Sequence, residues 1–345
     1  MAFPELNERE RRVLEAVIRS YVETAEPAGS RTLSRRFGLG VSPATIRNTM
    51  SDLEEKGFLF HPHTSAGRIP TDQGYRAYVD SIMQRPQIVP PEGGRLAAQI
   101  QTGGSAIDAI LRRAAQSLGV VTQELGVALG PRLDDTVLRR LELVRIAAER
   151  VLLVLTLDGG GVRTIFVEAK GELADHAVAE VGRVLNERLS GLTLREVRAT
   201  LGARLRDTSS TPDASELLNV FVEEGEQLFD ASLGGDDVVL SQASLLAEQP
   251  EFATGQSLRR LMALTETRHH LADLLRRRST SPGLSITIGN EHGDPTLESF
   301  TIVTAEYRAG SLSGVIGVLG PTRMPYEKVI SLVSHTSSLV SALLD

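Results

Sequence analysis

The chain has no cysteine, which excludes a disulfide framework and any thiolate metal site. No apolar run approaches the roughly 18–20 residues that cross a bilayer. The opening MAFPELNERERR lacks the apolar core of a signal peptide. Together these absences predict a cytoplasmic protein. Basic residues are in deficit: the formal net charge is −7 and the pI is near 5.6. That balance argues against indiscriminate coating of nucleic acid, so any such affinity must come from one placed patch. The remaining composition, 41% hydrophobic and 23% charged, is that of a folded globular chain. At 345 residues the expectation is two or three domains.

One local absence is the most informative. Between Pro27 and Ser51 there is no acidic residue, while Arg31, Arg35, Arg36 and Arg47 supply four positive charges. The segment PAGSRTLSRRFGLGVSPATIRNTMSDLEEKGFLFHPHTSAGRIP reads as a short helix, a glycine turn, a second helix and a β-hairpin. That is the order of a winged helix-turn-helix. Leu6, Val13, Leu14, Val17, Ile18, Tyr21 and Val22 mark a preceding helix, capped at Asn7 and running to about Thr24. Ser30 is expected to cap the short helix. Ser42-Pro43 opens the next with a cap residue and a proline at the first helical position, and Gly57 closes it. Phe58–Phe60 and Arg68-Ile69 form the arms of the wing, and Thr71 or Asp72 caps a further helix.

On the helix after Pro43, Ile46, Met50 and Leu53 share the core face. The opposite face carries Ala44, Thr45, Arg47, Asn48 and Ser51 and is predicted to meet base edges. Arg47 suits guanine O6/N7, Asn48 suits adenine N6/N7, and Ala44 or Thr45 suits a thymine methyl. Ser30, Arg31, Thr32, Arg35, Arg36, Ser42, His63, Thr64, Ser65 and Arg68 are the expected phosphate and wing contacts. His61 and His63 are of metal-ligand type but have no cysteine or nearby acidic partner in the sequence, so loop imidazoles contacting phosphate or solvent are expected.

At these residues the chain resembles the HrcA family of heat-inducible transcription repressors, through SRTLSRRFGLGVSPATIRN and HPHTSAGRIPTDQGYRAYVD without a gap. The C-terminal GVIGVLGPTRMPYEKVI is similar to the same family. The pattern departs at Thr49 and Pro325, where an acid is usual, and at His61, where glutamine is. The resemblance implies a homodimer on an inverted-repeat DNA operator, chaperone genes as targets, the chaperonin GroEL as a modulator, and no cofactor. It also implies an α+β multidomain fold: the winged helix-turn-helix, then a GAF-like domain interrupted by a helical inserted dimerisation domain.

The rest of the sequence agrees in layout. Arg85 to Gly94 reads as a proline- and glycine-rich linker that leaves the first domain at a variable angle. Strands are expected near 126–129, 139–146, 151–157 and 162–168, then helices near 173–189, 192–205, 214–229 and 257–278. Strands return at 284–288, 300–307 and 314–319 before a last helix from Pro325 to Leu344. The expected division is 1–84, a linker over 85–94, the GAF-like domain over 95–190 and 281–345, and the inserted domain over 191–280, with Ser257–Arg278 as the dimer interface. Two alternatives stand beside this reading: a winged helix that binds protein, and a small-molecule-responsive repressor acting through the GAF-like domain.

No grouping of nucleophile, base and orienting residue predicts an enzyme. Gly159-Gly160-Gly161 has no following Lys-Ser/Thr pair and reads as a hairpin turn. Asp134-Asp135 and Asp236-Asp237 read as solvated turns, and His269-His270 as helix neighbours facing apart. Arg323, before the last helix, is expected to brace an interface in preference to binding an anion.

Overall fold

The computed structural model describes residues 5–344 apart from 63–66, 86–89, 103–106, 132, 135, 159–161, 170, 207–210, 230–237, 267, 279–282 and 311. The chain divides into two compact units. The first comprises residues 1–130, 238–307 and 315–345; the second comprises 131–237 with 308–314.

The first unit begins with α1 (Glu8–Thr24), α2 (Ser30–Arg36) and α3 (Pro43–Glu55). A two-stranded antiparallel pair follows, β1 (Leu59–Phe60) with β2 (Ile69–Pro70), and then α4 (Asp72–Met83). The sequence sets these ends locally. Asn7 accepts from the Glu10 amide while its own amide donates to the Glu10 carboxylate, a reciprocal capping box. Thr71 caps α4 by accepting from the Gly74 amide. Val13, Val17 and Ile18 of α1 meet Leu33, Ile46, Leu53, Phe58 and Tyr75 in one buried cluster. α5 (Glu92–Gln101), α6 (Ile107–Thr122) and β3 (Leu125–Leu129) complete this stretch.

The second unit is an antiparallel meander of β4 (Leu138–Ala147), β5 (Arg150–Leu157) and β6 (Val162–Glu168). It is followed by α7 (Asp175–Leu189), α8 (Leu194–Leu205) and α9 (Pro212–Leu228). Strand alternation separates two faces. Leu141, Val151, Leu153 and Leu155 turn inward onto Val181, Leu185, Val197 and Phe221. Asn186 of α7 accepts from the Leu141 amide at 2.8 Å and donates back to its carbonyl, tying helix to strand. The other face presents Val144, Leu152 and Phe166 as one cross-strand row, with Val162 on the row through Thr156.

The chain then returns to the first unit through β7 (Val238–Leu240), α10 (Ser244–Ala247), α11 (Gly255–Glu266) and α12 (Arg268–Arg278). β8 (Leu284–Ile288), β9 (Phe300–Ala309), β10 (Leu312–Pro321) and α13 (Tyr326–Leu344) end it. Five strands make a sheet in the order β7-β3-β10-β9-β8. The sheet is covered on both faces. Ala128, Ile316 and Val318 face α6 and α13, whereas Val127, Leu129, Phe300 and Ile302 face Leu261, Leu264, Leu271 and Leu275 of α11 and α12.

This arrangement corrects the expected division. The strands at 139–168 do not join the sheet that holds 126–129 and 284–319. They pair with each other, while β3 already has β10 and β7 on its two edges. The separate body is therefore 131–237 with 308–314, not 191–280. The helix expected over 257–278 is two helices that pack on the five-stranded sheet. The linker expectation also changes, because α5 begins at Glu92 and the N-terminal helices share their core with α6 and α13.

Candidate nucleic-acid interface

α3 is the centre of the candidate site. Ser42 caps it, accepting from the Thr45 amide at 3.1 Å, and Pro43 stands at the first position. Ile46, Thr49, Met50 and Leu53 are buried; the Thr49 hydroxyl donates to the Thr45 carbonyl, so the residue where an acid is usual has its polar atom satisfied locally. Ala44, Arg47 and Asn48 are exposed, and Ser51 is half-buried. Thr45 is half-buried as well, and its hydroxyl shares a 2.9 Å hydrogen bond with Ser42. The cap thus engages Thr45 and Ser42 together, leaving Ala44, Arg47 and Asn48 as the outward triad of the first turns.

α2 adds Arg31, Thr32 and Arg35, all exposed. Ser30 is its first residue and Gly29 the cap position, a one-residue shift from the expected cap. Arg36 pairs with Glu23 and lies over the Phe37 ring. Arg31, Arg35 and Arg47 have no ion pair among the described residues. The four arginines, all exposed, therefore divide into three without an ion pair among the described residues and one tied to Glu23.

Arg68 departs furthest from its expected role as a phosphate contact. Its side chain is 14% exposed, and the guanidinium pairs with Glu54 at 2.8 Å and touches the His61 ring. Its backbone bridges Ala28, donating to and accepting from it at 3.0 and 2.9 Å. A Cβ on Gly67 would run into the Ala28 carbonyl, so this arm approaches more closely than any side chain permits. Arg68 is a brace between hairpin, α3 and the start of α2. Glu54 and His61 sit close enough in sequence to be read together, yet only the fold brings Arg68 to them. His63, Thr64 and Ser65 lie outside the described residues.

A second brace was not legible in the sequence. Lys56 donates to both Glu10 carboxylate oxygens, at 2.7 and 2.9 Å. Burial opposes ionisation of Glu10, but the Lys56 ammonium and the Asn7 amide outweigh it and hold the carboxyl below its ordinary range. This ties the end of α3 to the start of α1.

Polar contacts also join these helices to the sheet within the first unit. Arg76 of α4 donates to Glu291 through Nε at 2.7 Å and to the Ile286 carbonyl at 2.8 Å. Asp72 accepts from the amide and side chain of Asn290, each at 2.9 Å. Arg323 chelates Glu251 and donates to the Val22 carbonyl at 2.7 Å, which makes it the interface brace anticipated above. Pro325 directly precedes α13, where it costs no helical hydrogen bond. Beside this junction Glu124 is buried, accepting from Gln249 at 3.3 Å, and burial pushes its carboxyl well above the usual range.

No group of histidine, aspartate or glutamate that could hold a metal occurs among the described residues. No described helix is long and apolar enough to cross a membrane.

The chain is 41% identical to the heat-inducible transcription repressor HrcA of Chlorobium phaeobacteroides strain BS1, over 99% of both chains. The protein of the same description from Geobacter sulfurreducens is 37% identical, again over 99% of each. A crystal structure described as that of a hypothetical protein superposes with TM-score 0.64 over 99% of both chains at 22% identity, a likeness of fold alone. The chain is thus a multidomain α+β transcription repressor of the heat-shock response. Residues 108–330 match the model of the HrcA protein C-terminal domain, well over half of the length. The chain belongs to the HrcA family.

Proposed function

We propose that residues 5–83 act as a winged helix-turn-helix and that the protein, as a homodimer, binds an inverted-repeat operator at chaperone genes. In this reading α3 enters the major groove, with Arg47 and Asn48 on base edges and Ala44 against a thymine methyl. Arg31, Arg35 and Thr32 reach phosphate from α2, which positions the helix but carries no sequence information. Thr45 and Ser42 shape the helix start, and Ser51 borders the reading face. The observation that carries the proposal is the exposed Ala44-Arg47-Asn48 triad on a capped helix, flanked by two further arginines that have no ion pair among the described residues, in a chain of net charge −7.

A dimer follows from the reach of one helix, since a few base pairs cannot select one operator among a genome of competitors. The outer face of the β4–β5–β6 sheet suits a second copy. Val162 and Phe166 are 63% and 61% exposed, with Val144 and Ile146 beside them. The sheet body over 95–130, 238–307 and 315–345 takes the GAF-like role, filled by side chains. Modulation by a GroEL-type chaperonin and action in the cytoplasm belong to the proposal on family membership alone.

Asn48→Ala tests the reading. A bidentate base contact is worth about 1–3 kcal/mol of discrimination, so operator preference over a single-base mismatch at the contacted position should fall by about 10–100-fold with the salt slope unchanged. Undiminished discrimination would place the reading face elsewhere.

A further inference from the structure

The junction between α4 and the turn Gly289–His292 has more built into it than packing requires. Residues 69–76 run directly from the hairpin into α4, so whatever holds α4 also holds the hairpin and, through Arg68–Glu54, α3. Asp72 accepts two hydrogen bonds from Asn290, one from its backbone. Arg76 grips both oxygens of Glu291 and the Ile286 carbonyl. Glu291 is itself held, accepting from the Ile288 amide at 2.8 Å. Gly289 has φ +51° and a Cβ there would meet the Asp72 carboxylate, so the turn is shaped to receive that side chain. Two charged or polar pairs with fixed geometry, seated on a specialised turn, define an angle; an apolar contact alone would allow sliding.

We infer that Asp72, Arg76, Asn290 and Glu291 form a latch that fixes the direction of the recognition helix against the sheet body and thereby sets the half-site spacing the dimer accepts. These are positioning residues: none touches DNA in the proposed mode, and they act through α4 and the hairpin. The inference rests on the operator-binding reading above. In a dimer whose two reading modules are rigidly held, half-sites are matched only at one separation and helical phase. Released from the latch, the modules stay on the apolar core they share with α6 and α13 but can slide over it, and so reach half-sites at other phases.

The test is a series of duplexes in which an inverted repeat, enriched by the full-length protein from random DNA, has its two half-sites moved apart in one-base-pair steps. The wild type should discriminate against an insertion of about five base pairs, half a helical turn, by about 100-fold. Arg76→Glu and, separately, Asn290→Asp, which sets a carboxylate against Asp72, should narrow that ratio to about threefold. Preference for one intact half-site over a scrambled one should stay within about twofold of wild type in both. The reciprocal Arg76→Glu with Glu291→Arg should restore spacing dependence. Variants that keep the wild-type spacing profile overturn the latch. Variants that lose spacing and half-site preference together overturn it too, since they show only a destabilised module. A wild type that enriches no inverted repeat removes the operator-binding reading itself, and the latch with it.

Discussion

Arg35 and Arg68 carry the same charge 33 positions apart, yet the fold predicts opposite consequences when each is removed. Arg35 is exposed on α2 with no ion pair among the described residues; Arg68 is 14% exposed and held by Glu54 at 2.8 Å. Each phosphate contact contributes about 0.9 to the slope of log affinity against log salt. Arg35→Ala removes one contact per subunit, so a dimer loses about 1.8 from that slope. Over a fourfold rise in salt, the wild type should then lose about tenfold more affinity than the variant. Folding stability should move by less than about 0.5 kcal/mol. Arg68→Ala should do the reverse. It leaves the half-buried Glu54 carboxylate without its cation and frees the hairpin arm, a cost of about 1–3 kcal/mol for charged hydrogen bonds of this kind, while the slope stays within about 0.5 of wild type. Anisotropy titrations at four salt concentrations and urea melts of the full chain read both quantities. An Arg68→Ala protein with unchanged stability and a slope reduced like that of Arg35→Ala would refute the division of arginines into outward and internal.

Other consequences follow from buried charge and exposed apolar surface. Glu10 has a folded pKa below its unfolded value, so its contribution is full above about pH 5 and is lost as pH falls through the folded pKa. Glu10→Gln should therefore flatten the acid limb of the urea midpoint and lower stability at pH 7 by about 1–3 kcal/mol. Glu124 has the opposite sign: its pKa is raised, the folded state binds the extra proton, and stability falls as pH climbs above the ordinary carboxylate range. Glu124→Gln should raise the urea midpoint at pH 8 relative to wild type and change it little at pH 4; a lower midpoint at pH 8 would contradict a neutral, buried carboxyl. On the outer sheet face, Val162→Asp with Phe166→Ser should convert the dimer to monomer in sedimentation velocity with far-ultraviolet dichroism unchanged. A variant that remained dimeric would exclude that face.

Local signals were legible wherever the chemistry sits within a few residues. Asn7 with Glu10, Ser42 with Pro43, and Thr71 three residues before Gly74 each specify a helix start through contacts that span one turn. The element boundaries near α1, α3 and α4 follow from them. The exposed face of α3 followed in the same way, since the period of 3.6 puts Ile46, Met50 and Leu53 opposite Ala44, Arg47 and Asn48. Partnership over long sequence separation was not legible. Strands 139–168 and 300–319 both draw on Val, Leu and Ile, and nothing local says that β3 pairs with β10 across nearly 190 residues while β4 to β6 pair among themselves. The misplaced insertion came from that. Arg68 shows the same limit at the scale of one side chain: a basic residue beside a polar hairpin tip suggests phosphate, and only the folded hairpin reveals Glu54 in reach. The capture of Thr45 by Ser42 was readable from their spacing, because a capping hydroxyl lies near the third helical residue.

The central claim is sequence-specific DNA binding by the exposed face of α3, and the most direct test compares two duplexes. Fluorescence anisotropy of the full-length protein would be measured on an inverted-repeat operator from a chaperone-gene promoter and on the same bases scrambled, at fixed salt. The account predicts a preference of about a thousandfold or more, at two chains per duplex. Equal affinity for both duplexes, with the protein folded and dimeric, would contradict it.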